Sequence, residues 1–250
     1  MKKKLIPIFA FVLLTAFGLT SCNKEEDNSS SGSSSRAASS VSSAAAEPLP
    51  DTPSSMQDLV SELDTSAPAV MTPNYTDLSK LSGKKNGWGQ GTQVDENNRP
   101  ISCTQFQEKY GKYGAVFIKE NNQDFYLTFD EGYENGYTAK ILDVLKEKKV
   151  PAVFFVTYDY AKRNPDLIKR MIAEGHVVGN HSYNHPSMPS VSLEKAAEEI
   201  TKLHDYIKET FGYTMTLFRP PMGEYSEQTL ALAKELGYQS VFWSFAYKDW

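Results

Sequence analysis

Three short polar clusters punctuate a chain of 250 residues that carries only four histidines and two cysteines. The first, Thr128-Phe129-Asp130-Glu131-Gly132, ends an apolar run with two adjacent carboxylates. One of them can act as a general base and the other as a metal ligand or an orienting group. The second cluster, Asn180 to His185, holds His181 and His185 four residues apart. That spacing predicts two imidazoles on one face of a helical turn, close enough to share a metal ion. The third is Phe218-Arg219-Pro220-Pro221-Met222-Gly223, in which two prolines and a glycine set a rigid turn. Arg219 can grip a carboxylate there, and the amides past Pro221 can donate to an oxyanion. A fourth and weaker pair is Asp249-Trp250.

Each cluster alone has an ordinary structural explanation: an acidic turn, two loop histidines, a surface turn with a solvated Arg. Taken together they supply carboxylates, imidazoles, a guanidinium and a rigid amide turn. That set suits metal-assisted hydrolysis of an amide or ester, in which a metal acidifies a bound water and a carboxylate takes its proton. The spacing reaches that reaction class and no substrate. His176 and His204 read as structural, one opening a strand and the other inside a helix. Cys103 reads as a half-buried, inert thiol.

The elements that must carry these clusters alternate between strand and helix. Phe125 to Phe129 is a β-rich run, Thr138 to Lys149 has helical spacing, and Val150 to Val156 reads as a buried parallel strand. A helix from Pro165 to Glu174 precedes a strand at His176 to Gly179. Ser192 caps a long helix closed by Gly212, and Ser226 caps another that ends at Gly237. Short strands are predicted at Leu217-Phe218 and Ser240 to Ser244. This alternation predicts an α/β fold of parallel βαβ units, with the polar clusters at the strand ends where such folds do chemistry.

The composition is 40% hydrophobic and 23% charged, which excludes wholesale disorder. It is uneven along the chain. Three lysines and an apolar run to Leu19 form a signal peptide over residues 1–21, ending at a lipobox-like Leu-Thr-Ser before Cys22, the expected lipidation site. Residues 22–86 read as a disordered Ser/Ala/Pro-rich tether. Cleavage before Cys22 removes three lysines and takes the net charge from −5 to −8, which disfavours nucleic acid as a partner. Residues 87–250 remain for the folded domain.

In order, Thr128–Gly132, His181–His185, Arg219–Gly223 and Asp249-Trp250 resemble the motifs of the polysaccharide deacetylases, the NodB-homology domain of carbohydrate esterase family four. Thr128 to Thr138, Gly179 to Ser182 and Val241 to Ser244 are similar to the delta-lactam-biosynthetic branch, whose members are peptidoglycan N-acetylmuramic acid deacetylases. Trp88-Gly89 resembles that branch's lead-in. The resemblance implies a distorted, incomplete (β/α) barrel and a divalent metal, zinc as a rule. It implies Asp130 as catalytic base, His181 and His185 as metal ligands with Glu131 at a third ligand's position, and Arg219 as the group orienting Asp130. The Met222 amide would serve the oxyanion hole, Pro220, Pro221 and Trp250 the substrate groove, and Asp249 the acid side. Peptidoglycan glycan strands are the implied partner, reached from a lipid anchor on the outer face of a bacterial membrane.

Two departures qualify that expectation. Glu131 stands where the family has Asp, and its extra methylene shifts the ligand oxygens. The family's Leu-x-His, source of its general acid, does not follow Trp250, so the barrel is expected to be truncated at its C-terminal end and the chain impaired. Roughly 165 residues are also short for a closed eight-fold barrel. The preferred reading is an N-deacetylase of muramic acid. The alternatives are a deacetylase of another N-acetylglucosamine polymer, a xylan esterase, or a wall-binding lipoprotein.

Overall fold

The computed structural model describes residues 72–119 and 125–246. The expected signal peptide, Cys22, most of the tether, Asp249 and Trp250 lie outside the described residues.

Six strands form one parallel sheet, in the order β2 (Ala115–Val116), β8 (Gln239–Val241), β6 (Leu217–Phe218), β5 (Val177–Asn180), β4 (Val153–Val156) and β3 (Thr128–Glu131). Among the described residues β2 and β3 are the two edges of this sheet. Every residue of β4 is buried, which is why Val153 to Val156 is apolar without alternation. Its two faces meet different partners. Phe154 and Val156 join Val178 and Phe218 under the helices, whereas Val153 and Phe155 pack with Val177 and Leu217 on the concave side. Gly179 on β5 admits Phe155: a Cβ at 179 would lie 2.4 Å from that ring.

The helices are α3 (Thr138–Lys148), α4 (Tyr158–Arg163), α5 (Pro165–Ala173), α6 (Leu193–Phe211) and α7 (Glu227–Glu235). Their ends follow local chemistry. The Ser192 side chain accepts from the Lys195 amide, and Gly212 closes α6 in the left-handed region at φ 69°. Ser226 and Thr229 form a reciprocal capping box at α7.

The folded body begins before residue 87, and this shortens the expected tether. Helix α1 (Tyr75–Leu78) is capped by Asn74, and Leu78 is only 1% exposed in the main core. Asn74 N–H donates to Glu235 (2.8 Å), and the Gln228 side chain donates to Leu81 C=O (3.2 Å), both fastening the segment to α7. Strand β1 (Asn86–Gly87) then pairs antiparallel with β7 (Glu224–Tyr225). Helix α2 (Ile101–Tyr110) follows and brings Cys103, fully buried rather than half-buried, into a cluster with Trp88, Tyr110, Phe117, Tyr225 and Phe242. Burial pushes the Cys103 thiol pKa up to about 11.

Candidate active site

Asp130 is the third residue of β3 and points to the concave side, in register with Phe155. Arg219 follows β6 directly and is 3% exposed. Its Nη1 donates to Asp130 Oδ1 (2.7 Å) and its Nε to Val241 C=O (3.1 Å), while its carbon Cζ stacks 4.2 Å from the Phe155 ring centroid. Three strands, β3, β4 and β8, thus fix the guanidinium, and the guanidinium fixes one carboxylate oxygen. Among the described residues Arg219 Nη2 is buried without a partner, and Asp130 is the carboxylate that offsets the guanidinium charge.

The histidine spacing works differently from the helical turn expected. Residues 181–187 form a loop, in which Ser182 and His185 have φ of 69° and 57°. These left-handed turns swing His185 back, so that its Nε2 lies 3.2 Å from His181 Nε2. His181 Nδ1 donates to Arg219 C=O (2.8 Å); a carbonyl only accepts, so Nε2 carries the bare lone pair. Burial holds the His181 pKa down to about 4 against the pull of Asp130, and burial lowers that of His185 too. Both rings are therefore neutral near pH 7, as metal ligation requires. Two nitrogens on one tetrahedral zinc would be about 3.3 Å apart, close to the observed separation. Asp130 Oδ2 faces His181 Nε2 at 3.9 Å. The donor set fits a divalent cation.

Glu131 does not join the pair. Neighbours along a strand face opposite sides, so with Asp130 turned inward Glu131 turns toward the helices. There it lies 3.5 Å from Thr138 Oγ1. Burial, then the nearby Glu134 charge, raises its pKa to about 7. Among the described residues no group of three His, Cys, Asp or Glu is arranged to hold a metal.

The turn after Arg219 also differs in part from expectation. Pro220 and Pro221, expected beside the substrate groove, are both buried. Met222 is its exposed member, 53% open, with φ 59°. A network absent from the sequence reading braces this turn. Trp88 N–H donates to Gly223 C=O (2.9 Å), Trp88 Nε1 to Trp243 C=O (2.9 Å), and Trp243 Nε1 to Gln90 (3.0 Å). A Cβ on Gly223 would strike the Trp243 ring at 2.7 Å. Glu199 was missed as well. It sits on the apolar face of α6 among Ala196, Ile200 and Leu203, and an acid at such a position is the signal that could have found it.

Residues 118–241 match the family model described as polysaccharide deacetylase. A peptidoglycan-N-acetylmuramic acid deacetylase of Bacillus subtilis, PdaA, is 42% identical over 65% of this chain and 62% of its own length. Its solved structure superposes with a TM-score of 0.63 at 39% identity, covering 68% of this chain and 73% of that one. A family 4 carbohydrate esterase from Bacillus anthracis gives a TM-score of 0.60 at 46% identity, over 68% of this chain and 78% of that one. A peptidoglycan-N-acetylglucosamine deacetylase of Bacillus cereus is 38% identical over 56% of this chain and 51% of its own length. The chain thus spans less than two thirds of these curated relatives. By the family match and the likeness to these solved structures, the chain belongs to the polysaccharide deacetylase family.

Proposed function

We propose that the chain is a metal-dependent hydrolase that removes N-acetyl groups from peptidoglycan, acting on N-acetylmuramic acid. The observation that carries this reading is one buried guanidinium holding Asp130 beside two neutral imidazoles whose Nε2 atoms converge. The name of the B. subtilis relative supports muramic acid as the sugar, and that of the B. cereus relative defines the main competitor.

His181 and His185 would hold the metal, with zinc the expected ion. A bound divalent metal lowers the pKa of a water and polarises an acyl oxygen. The chain's own residues do the rest. Arg219 occupies Asp130 Oδ1 and leaves Oδ2, on the side of the imidazoles, to accept a proton from water. The Met222 N–H, on a turn stiffened by two prolines, donates to the oxyanion that forms as the acetyl carbonyl is attacked. A lipid anchor at Cys22 would present the domain to the wall from outside the membrane. Asp249 would serve the acid side and Trp250 the substrate groove.

The test is to incubate the full-length chain with peptidoglycan and zinc, then locate acetyl loss in the muropeptides by mass spectrometry. Loss from muramic acid that disappears in Asp130→Asn supports the reading; loss confined to glucosamine moves the substrate. A second reading, a wall-binding lipoprotein without turnover, is favoured by the turning away of Glu131 from the pair. Peptidoglycan sedimentation of the chain with no acetyl loss would select it.

A further inference from the structure

We infer that Glu199 is a positioning residue for the imidazole pair: its buried carboxylate fixes the 181–185 loop in the conformation that turns the two Nε2 atoms together. The inference rests on the metal-dependent reading above.

Four consecutive amides of this loop each have one acceptor. Ser182 N–H donates to Asn180 Oδ1 (2.9 Å) and His185 N–H to Ser182 Oγ (2.9 Å). The two amides between them both go to Glu199. Tyr183 N–H takes its backbone carbonyl (2.9 Å), and Asn184 N–H takes its Oε2 (2.6 Å). The Asn184 side chain adds a bond from Nδ2 to Oε1 (2.9 Å). Asn180 Nδ2 ties the start of the loop to the same turn of α6 through Ile200 C=O (2.9 Å).

Positive φ at Ser182 and His185 is unfavourable for residues with a Cβ and persists only where the surroundings over-determine it. Glu199 supplies that determination between the two strained residues. Its own position is otherwise costly: it is 1% exposed, and a buried carboxylate needs partners. Lys195 Nζ stands 3.3 Å from Oε1, and the two Asn184 donors complete the set. Without the carboxylate, Asn184 N–H loses its acceptor and the loop is free to relax, separating the imidazoles.

The test measures zinc affinity of the full-length chain by competition with a chromogenic chelator, with thermal melting followed by circular dichroism. In Glu199→Gln the charge facing Lys195 is lost and one acceptor oxygen becomes an NH₂ group, which the Asn184 side chain can meet only by turning its amide over. Zinc affinity is expected to fall about tenfold or more, as for outer-shell partners of metal ligands. The exchange Glu199→Gln with Asn184→Asp restores a donor–acceptor pair and should recover most of the affinity. Asn184→Ala, at an exposed position, should lose less. Wild-type affinity in a folded Glu199→Gln variant, or a loss that the exchange leaves unrepaired, overturns the proposal. Should Glu199→Gln fail to fold, Asn184→Ala decides, and unchanged zinc affinity there overturns it. Wild type binding zinc no better than His181→Ala/His185→Ala instead overturns the metal reading itself, a different result from wild type and Glu199→Gln binding equally well.

Discussion

Removing Asp130 should destabilise this fold, because of the group it leaves behind. The Asp130 side chain is 39% exposed and loses little by returning to water, whereas that of Arg219 is 4% exposed. Among the described residues Arg219 Nη2 is already buried without a partner, Nε is bound to a neutral carbonyl, and Asp130 is the carboxylate on Nη1. Asp130→Ala therefore strands a buried guanidinium, a change that costs about 3–5 kcal/mol. Asp130→Asn keeps an acceptor of the same shape and loses the charge, costing about 1.5 kcal/mol, the difference between a charged and a neutral hydrogen bond. Urea unfolding of the full-length chain, with chelator present so that no cation contributes, measures both. The expected order is wild type, then Asp130→Asn, then Asp130→Ala, with the melting temperature of the last lowered by roughly 6–20 °C. An Asp130→Ala variant as stable as wild type would refute the reasoning, since Arg219 would then not depend on this carboxylate.

Three further outcomes are expected. Gly179→Ala should cost about 1–3 kcal/mol by overpacking against Phe155, and Phe155→Leu in the same chain should recover part of the loss, both read by thermal melting. Leu78→Ala should cost about 2–5 kcal/mol in urea unfolding if residues 72–86 belong to the folded body, and a value near zero would return them to the tether. Cys103, buried and with its thiol pKa raised to about 11, stays protonated at pH 8 and should react with a thiol reagent only at the rate of unfolding; rapid native-state labelling would contradict its burial.

Much of this architecture was legible in the sequence because its signals are local. The all-buried run at Val153 to Val156, the Ser192 and Ser226 caps and Gly212 act within a few residues, and the helices they bound match those predicted. The site was less legible wherever a long-range contact decides the outcome. The histidine spacing was right for convergence, but the loop that produces it depends on acceptors from α6, some fifteen residues onward. Glu131 could have been placed by strand alternation alone, since Asp130 and its neighbour cannot face the same side. The bracing of the turn after Arg219 was equally hidden, because Trp88, more than a hundred residues earlier, donates to Gly223 C=O. Residues 72–86 carry little periodicity, and their order comes from bonds to α7.

The central claim is that the converging imidazoles and Asp130 hydrolyse acetamido groups of the wall polymer. Acetate release from purified peptidoglycan by the zinc-supplemented full-length chain tests it most directly, run beside His181→Ala/His185→Ala and a chelator-treated sample. The account predicts acetate from the wild type and none above background from the other two. Equal acetate release from the double variant, or none from the wild type, would contradict it.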